Sequence, residues 1–374
     1  MKILLVGNYL PDRQRSMQRF AAMLRDGLRE CGHEVKVIRP RPGFGRSRKL
    51  GSSARKWLAY GDKYLVLPHT LRRAVEWADV VHICDHSNAM YVAHLRGKPH
   101  VVTCHDLLAV RGALGEETDC PASFTGKILQ RWILRSLRRA QMVACVSTAT
   151  RADLLRLAGP QMETRSSVIM LGVVPTLNAI ERSEAHARLA SLCGIKLGRP
   201  FLLNVGSNLQ RKNRDGALRI FKRVSRQLDC DLVFAGEPLS KELQQLKSEI
   251  GLNGNVIEVA RPTDAALEAL YSTAFALLYP TKFEGFGWPA IEAQTCGCPV
   301  ISSNSTSLPE VVGNSALLRA PEDEEGFAAD VLRLTEPVTR NQLIVRGFEN
   351  VKRFTPERMV SDYIELYQKV CAQN

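Results

Sequence analysis

The 374-residue sequence contains no long hydrophobic run. No stretch approaches the ~18 apolar residues that a membrane-spanning helix needs. The apolar run near the start covers only residues 3–6, shorter than the ~7–15 residues of a signal-peptide core. We therefore expect a cytoplasmic protein, at most peripheral on the cytoplasmic face of a membrane. Because 45% of the residues are hydrophobic and 24% are charged, the composition excludes global disorder.

The chain also lacks a disulfide or zinc pattern. Its ten cysteines are scattered, and several lie inside apolar runs. Cys296-Gly-Cys298 does not have the two-residue spacer typical of zinc sites, and no pair of histidines accompanies it. We interpret the cysteines as small buried hydrophobic residues and expect no metal site.

Acidic residues are scarce in the first half of the chain. Residues 1–190 hold 30 Lys and Arg against 16 Asp and Glu, whereas residues 191–374 hold 21 against 22. The whole excess of positive charge therefore lies in one half. This asymmetry predicts an anionic partner for that half: a membrane surface, a phosphorylated acceptor or nucleic acid.

Short apolar, β-branched runs alternate with helical patterns along the chain, which is typical of parallel sheets covered by helices on both faces. At ~100–200 residues per domain, the length favours two domains. We predict two doubly wound (Rossmann-like) α/β domains, residues 1–190 and 191–354, and a C-terminal helix over 355–374 that packs back on the first. The predicted strands are 2–6, 34–38, 80–84, 100–104, 142–146, 167–170, 201–205, 232–235, 256–259, 274–278, 299–302 and 316–318.

The segment after the predicted strand 274–278 has the properties of a ligand-binding loop. Ligands in open α/β sheets bind beyond the carboxyl ends of strands. Here Glu284-Gly-Phe-Gly287 follows the strand, and Pro289 stands where a helix would begin. Glu284 and Glu292 are acceptor-only carboxylates suited to sugar and ribose hydroxyls, and the glycine amides between them allow close approach of a hexose or phosphate.

Two stretches carry a family resemblance: EGFGWPAIEAQTCGCPVISSNSTSLPEVVGNSALL, from Glu284, and FLLNVGSNLQRKN, from Phe201. They resemble the group 1 glycosyltransferases (glycosyltransferase family 4), retaining enzymes with the GT-B fold. The resemblance implies that two Rossmann-like domains face each other across a cleft, with the nucleotide-sugar donor held by the C-terminal domain and the acceptor by the N-terminal one.

The resemblance implies roles for residues of the C-terminal domain. Glu284 and the amides of Gly285, Phe286 and Gly287 would bind the donor sugar, and Glu292 would bind the ribose diol. An alternative interpretation of Glu292 is a solvated helix residue.

Cations are expected beside the donor diphosphate. The resemblance implies that Gly206, where the strand ends, is a donor-binding residue. It also implies that Arg211 and Lys212, in the loop that follows, neutralise the leaving group, which fixed cations would stabilise as its charge develops. The alternative is an exposed basic pair, although a helix start is unfavourable for cations. His105, from the other domain, would contact the donor sugar near the reacting carbon; the alternative is a structural histidine.

One feature departs from the family pattern, and another matches a motif of a different glycosyltransferase fold. The loop of residues 7–18 has one glycine where the family has several, so Arg13 or Arg15 would substitute electrostatically. Asp229-Cys230-Asp231 is an Asp-x-Asp triplet of the type that binds a divalent metal in a different glycosyltransferase fold. Because it precedes a strand, we interpret it as a solvated turn, and with Lys212 available we expect no metal cofactor.

A basic helix is predicted over residues 125–140. Lys127, Arg131, Arg135 and Arg138 share one stripe, whereas Ile128, Trp132, Ile133 and Leu137 lie on other faces. Such a helix either lies on an anionic bilayer or covers the sheet. The Arg-rich loop 39–56 followed by Trp57 is a second candidate for membrane contact.

The family resemblance implies a retaining hexosyltransferase. Its donor would be GDP-mannose, or otherwise a UDP-sugar, and its acceptor a glycan or a lipid-linked or phosphorylated molecule. One alternative is an epimerase or phosphorylase of the same fold, for which no motif is present. Another is a non-catalytic basic protein that binds nucleic acid or membrane, but no nucleic-acid-binding motif supports the nucleic-acid version.

Overall fold

The computed structural model describes residues 1–12, 14–41, 58, 60–95, 97–173, 176–195 and 197–373. It divides into two compact units, Met1–Gly172 together with Pro356–Asn374, and Val173–Thr355. Each unit contains a six-stranded sheet in which all paired strands are parallel. The predicted fold class, two doubly wound α/β domains, is confirmed.

The first unit is built on a sheet of order β2-β1-β3-β4-β5-β6. Its strands are β1 Lys2–Val6, β2 Glu34–Ile38, β3 Val80–Ile83, β4 His100–Cys104, β5 Met142–Cys145 and β6 Ser166–Val168. Its helices are α1 Arg15–Glu30, α2 Leu67–Trp77, α3 Leu108–Ala113, α4 Phe124–Leu137 and α5 Thr148–Ala158. β3, β4 and β5 are buried along their whole length, as expected for parallel strands covered on both faces.

The second unit has a sheet of order β12-β11-β10-β7-β8-β9. Its strands are β7 Phe201–Gly206, β8 Asp231–Gly236, β9 Val256–Ala260, β10 Ala276–Tyr279, β11 Val300–Ser303 and β12 Leu317–Arg319. Its helices are α6 Arg182–Cys193, α7 Arg214–Val224, α8 Lys241–Glu249, α9 Asp264–Thr273, α10 Trp288–Thr295, α11 Leu308–Val312, α12 Glu324–Arg333 and α13 Pro337–Val351. The last helix of the chain, α14 Pro356–Ala372, belongs to the first unit.

The division between the units differs from the predicted one. Residues 173–190 were assigned from sequence to the first domain, but they lie in the second unit. The reason is Glu268 on α9, which accepts hydrogen bonds from the backbone N–H of Asn178 at 2.8 Å and from Arg188 on α6 at 2.6 Å. These long-range polar contacts leave no trace in the local sequence pattern.

The C-terminal helix α14 is fixed to the first sheet by a buried polar network. His82 on β3 contacts the hydroxyl of Tyr367 through Nδ1 at 2.6 Å and Thr103 Oγ1 through Nε2 at 2.7 Å. Thr103 Oγ1 in turn lies 2.8 Å from the hydroxyl of Tyr363. Burial lowers the pKa of His82 to about 3, so the imidazole is neutral and depends on these partners.

We expect Tyr367→Phe to lower the free energy of unfolding by ~1–3 kcal/mol, because it leaves Nδ1 of His82 buried without its partner. Urea denaturation followed by near-ultraviolet circular dichroism would measure the change. Tyr64→Phe is the matched control, since no described residue hydrogen-bonds to the Tyr64 hydroxyl. Equal destabilisation by the two substitutions would contradict the assignment of this network.

Candidate functional site

The candidate site lies at the carboxyl ends of β7 and β10 in the second unit. From β7 the chain continues to β8 on one side, whereas β10 pairs with the other side of β7. The strand order therefore reverses between β7 and β10, which is where open α/β sheets bind their ligands. The two loops that leave these strands, residues 207–213 and 280–287, carry most of the residues predicted from sequence.

Glu284 and Lys212 meet directly at this position. Lys212 Nζ donates to Oε1 of Glu284 at 2.6 Å, and the same oxygen accepts from the hydroxyls of Tyr279 at 2.5 Å and Thr281 at 3.0 Å. The Lys212 and Glu284 side chains are only 16% and 11% exposed. Among the described residues none hydrogen-bonds to Oε2 of Glu284, so this oxygen can accept from a ligand hydroxyl.

Tyr279 acts as a fixed donor beneath this carboxylate. Burial, and then the charge of Glu284, raise the pKa of Tyr279 well above its usual value. The phenol therefore stays protonated and donates its hydrogen bond throughout the physiological range. The hydrogen bond from Tyr279 therefore holds the Glu284 carboxylate in one orientation.

The loop that carries Glu284 is fixed by hydroxyls that follow β11. Glu284 N–H donates to Thr306 Oγ1 at 3.1 Å, and Ser307 Oγ donates to the carbonyls of Glu284 at 3.0 Å and Phe286 at 2.8 Å. The ring of Phe286 is buried and meets Phe354 edge-on, with the ring centroids 5.7 Å apart. Sequence reasoning did not name Thr306 or Ser307, although the hydroxyl-rich run of residues 302–307 was a usable signal.

Gly287 begins helix α10 in a conformation that requires glycine. Its φ is +109°, and a Cβ at this position would meet Leu308 Cδ2 at 2.6 Å. Glu292 lies in the second turn of this helix and is buried. Its Oε2 accepts a hydrogen bond from the hydroxyl of Tyr271 at 3.1 Å. Glu292 is therefore not a solvated helix residue.

Arg211 and Lys212 form a short helical turn before α7. The carbonyl of Arg211 accepts from Thr281 Oγ1 at 2.9 Å and from Lys282 N–H at 2.7 Å, which joins the two loops. The aliphatic stem of Lys212 lies along Gly206, 3.6 Å from where a Cβ would be. The loops and their two cations thus form one connected structure at the ends of β7 and β10.

Arg214, which was not predicted from the sequence, holds the loop 207–213 in place through its side chain. Its buried guanidinium donates to the carbonyls of Gly206 and Glu237, each at 2.7 Å, and to Asn208 Oδ1 at 2.8 Å. Burial lowers the pKa of Arg214 to about 10, so it still carries its charge at neutral pH. The cluster of cations in QRKNR was visible in the sequence, but not which one points inward.

His105 lies in the first unit, directly after β4. It is buried, its ring meets Phe20 edge-on at 5.0 Å, and Nε2 lies 3.0 Å from the carbonyl of Cys84. Since a carbonyl only accepts, Nε2 carries the proton. Burial lowers the pKa of His105 against the opposing effect of Asp85, which leaves the ring neutral at pH 7. A role of His105 toward a donor sugar stays a prediction.

The Asp-x-Asp triplet is not a solvated turn, because Asp231 is buried and Arg199 pairs with both Asp231 and Asp229. It lies at the amino end of β8, opposite the end that carries the loops. Across the described residues, no group of three or more His, Cys, Asp or Glu is placed to hold a metal ion. Arg15 begins α1 and is exposed, whereas Arg13 and residues 42–57 lie outside the described residues.

Two family descriptions match the chain. Residues 193–350 match "Glycosyl transferases group 1", and residues 17–176 match "Glycosyltransferase Family 4". The first range includes the loops 207–213 and 280–287, and the second includes His105. The chain belongs to glycosyltransferase family 4. The resemblance seen in the sequence is thereby confirmed, and the protein is a glycosyltransferase.

Similar proteins agree with this assignment. O-antigen chain mannosyltransferase B of Escherichia coli is 27% identical over 311 residues, which cover 81% of this chain and 78% of that protein. O-antigen chain mannosyltransferase RfbU of Salmonella typhimurium is 28% identical over 239 residues, covering 62% and 64%. The structure of Anabaena HepE in complex with UDP-glucose matches with a TM-score of 0.77 at 15% identity, covering 99% of this chain and 100% of that one. At this identity the structural match establishes the fold, which is GT-B.

In the described part of this family 4 glycosyltransferase, no helix combines the length and apolar character that crossing a bilayer requires.

Proposed function

We propose that this glycosyltransferase moves mannose from GDP-mannose to a glycan or lipid-linked acceptor, with retention of anomeric configuration and without a metal ion. The observation that carries the proposal is the Lys212–Glu284 pair at the reversal of strand order. It places a cation and a hydroxyl-binding carboxylate side by side, as a sugar diphosphate requires. The choice of mannose is supported by the names of the two O-antigen relatives.

The residues of the two donor loops and Glu292 of helix α10 receive roles in this proposal. Oε2 of Glu284 accepts from a sugar hydroxyl, assisted by the amides of Gly285–Gly287. The buried carboxylate of Glu292 binds the ribose diol. Lys212, as a point charge, and Arg211, as a planar fork, stabilise the diphosphate as its negative charge grows.

The chemistry that these groups support is front-face transfer. The bond between the anomeric carbon and the phosphate oxygen breaks, and a bond to the acceptor oxygen forms on the same face of the sugar. The acceptor proton passes to the departing phosphate oxygen, so that GDP leaves with the proton and configuration is retained. Because Lys212 and Arg211 supply the positive charge, the reaction proceeds without a divalent metal.

A thermal-shift panel tests the donor. GDP, GDP-mannose, UDP and UDP-glucose are each added at millimolar concentration, with and without EDTA. A ligand at 100 times its Kd stabilises the folded protein by about 2.7 kcal/mol. We expect stabilisation by the guanosine pair that EDTA does not change. Selective stabilisation by the uridine pair would overturn the choice of GDP-mannose in favour of a UDP-sugar; Anabaena HepE was solved in complex with UDP-glucose.

Retention can be tested without knowing the acceptor. Slow hydrolysis of GDP-mannose by the enzyme, followed by proton NMR, reports the anomer that is released first. We expect α-mannose before mutarotation, because the donor is α-linked. Initial release of β-mannose would contradict the front-face mechanism, and loss of hydrolysis in EDTA would contradict the metal-free proposal.

A further inference from the structure

Helix α4 presents a row of apolar side chains to solvent. Phe124 is 79% exposed, Ile128 54% and Trp132 42%. Residues four apart on a helix share one face, so these three form a continuous row. The opposite face of the helix packs against the core, where Ile133, Leu134 and Leu137 are buried. Packing against the core therefore accounts for the buried apolar residues of this helix, but it does not account for the exposed row.

A second element extends the row. The ring of Tyr64, which lies in the helical turn Asp62–Val66 before α2, packs against Trp132 with centroids 5.5 Å apart. Leu65, the next residue, is 76% exposed. We define the apolar patch as Leu65, Phe124, Ile128 and Trp132. Two large aromatic and two aliphatic side chains in water on one surface indicate an interaction site.

A row of positive charge runs beside the apolar patch. Lys127, Arg131 and Arg135 are exposed, repeat at the same four-residue spacing and lie next to the apolar row on the helix surface. Helix α4 contains no acidic residue. Within the described part of the chain, none of these three cations forms an ion pair. The basic row is thus available to an external anion.

We propose that the apolar patch and the basic row dock this glycosyltransferase on an anionic lipid bilayer. An apolar row that includes Phe and Trp, with Lys and Arg along its edge, is the pattern of a helix that lies in the bilayer interface. A protein partner would need apolar and acidic groups in a matching order, whereas an anionic bilayer offers both chemistries everywhere on its surface. Each basic residue at such a surface strengthens binding about five-fold.

Vesicle sedimentation of the full chain tests this proposal. Vesicles of phosphatidylcholine with about 30% phosphatidylglycerol are compared with pure phosphatidylcholine, at low and high salt. We expect cosedimentation with the anionic vesicles, and its loss in high salt, since salt screens exposed charges. Failure of the wild-type protein to bind anionic vesicles at low salt would overturn the proposal.

Two variants separate the contributions. Phe124→Ser/Ile128→Ser removes apolar side chains that are already in water, and Lys127→Gln/Arg131→Gln/Arg135→Gln removes the basic row. We expect each to weaken binding to anionic vesicles at least ten-fold. Val338→Ser/Val345→Ser is the matched control, because these side chains are 61% and 62% exposed on α13 of the other unit. This control should bind like the wild type.

Other occupants give different results. If the patch joins two copies of the chain, light scattering will show a dimer that the Phe124→Ser/Ile128→Ser variant dissociates, and the proposal is wrong. Unchanged vesicle binding by both variants, with unchanged thermal midpoints, would also overturn it. Because none of these residues lies in the donor loops, donor hydrolysis in detergent-free solution should stay at the wild-type rate and show that the variants are folded.

Discussion

Lys212→Met is expected to lower kcat for sugar transfer by about 10²–10³-fold, the loss typical when one fixed donor to a developing negative charge is removed. The substitution keeps the aliphatic stem that lies along Gly206 and removes only the ammonium group. Because the leaving diphosphate gains charge as the glycosidic bond breaks, the missing cation weakens the transition state more than the bound donor. Steady-state kinetics should therefore show a large change in kcat and a smaller one in KM.

The structure supplies a matched control for this experiment. Lys282→Ala removes an exposed cation from the neighbouring loop, whose contact to Arg211 is made by the backbone of Lys282. We expect its kcat to stay within about two-fold of the wild type, in keeping with a surface substitution. If the overall positive charge were what mattered, kcat would fall equally in both variants. If Lys212→Met retained more than a tenth of the activity, the proposed role of this cation would have to be abandoned.

Lys212→Arg distinguishes position from charge. The guanidinium is larger and forked, and it must share the pocket formed by Tyr279, Thr281 and Glu284. We expect it to restore part of the activity that Lys212→Met loses, since the positive charge returns but its distance to Glu284 changes. The same order of the three proteins should appear in the donor hydrolysis assay.

The sequence predicted the twelve strands that the described residues form. The central strands are apolar runs that the fold largely buries, whereas the edge strands β2, β6, β9 and β12 are only partly buried. The largest shift of a strand's first residue is at β10, predicted from Ala274 and observed from Ala276, because the N–H of Ala274 still donates to the carbonyl of Leu270 at the end of helix α9. The predicted boundary after residue 190 lies 18 residues beyond the observed one after residue 172. That segment is held by hydrogen bonds to Glu268, which lies 90 positions after Asn178 and 80 after Arg188 in the chain.

Only part of the candidate site could be predicted from the sequence, because some of its residues act through contacts between segments that are distant in the chain. Glu284 and Lys212 were identified by their place in a motif, and the structure brings them together. Thr306, Ser307 and Arg214 were missed because their function depends on which backbone carbonyls and amides face them. Helix α4 illustrates the same limit, since its pattern allowed either a membrane or a core contact and only the exposure of Phe124 and Ile128 distinguishes its two apolar faces.

Gly236→Ala is expected to destabilise the second unit and to disable donor binding together. Gly236 ends β8 with φ at +129°, where L side chains are strained by ~1–3 kcal/mol. A Cβ at this position would lie 2.1 Å from the carbonyl oxygen of Gly206, which is backbone and cannot rotate away. Relief therefore requires the end of β7 to move, and with it the loop that carries Arg211 and Lys212.

We expect Gly236→Ala to lower the free energy of unfolding by at least ~2 kcal/mol, since the clash adds to the strain. The Kd for the donor should rise at least ten-fold, because the Gly206 carbonyl also accepts from Arg214, and a displaced β7 end misplaces the cations. Urea denaturation and calorimetric titration with the nucleotide measure the two effects. Gly254→Ala is the control, as its Cβ would have no neighbour within 4 Å. Loss of stability with unchanged donor affinity would place the nucleotide away from the ends of β7 and β8.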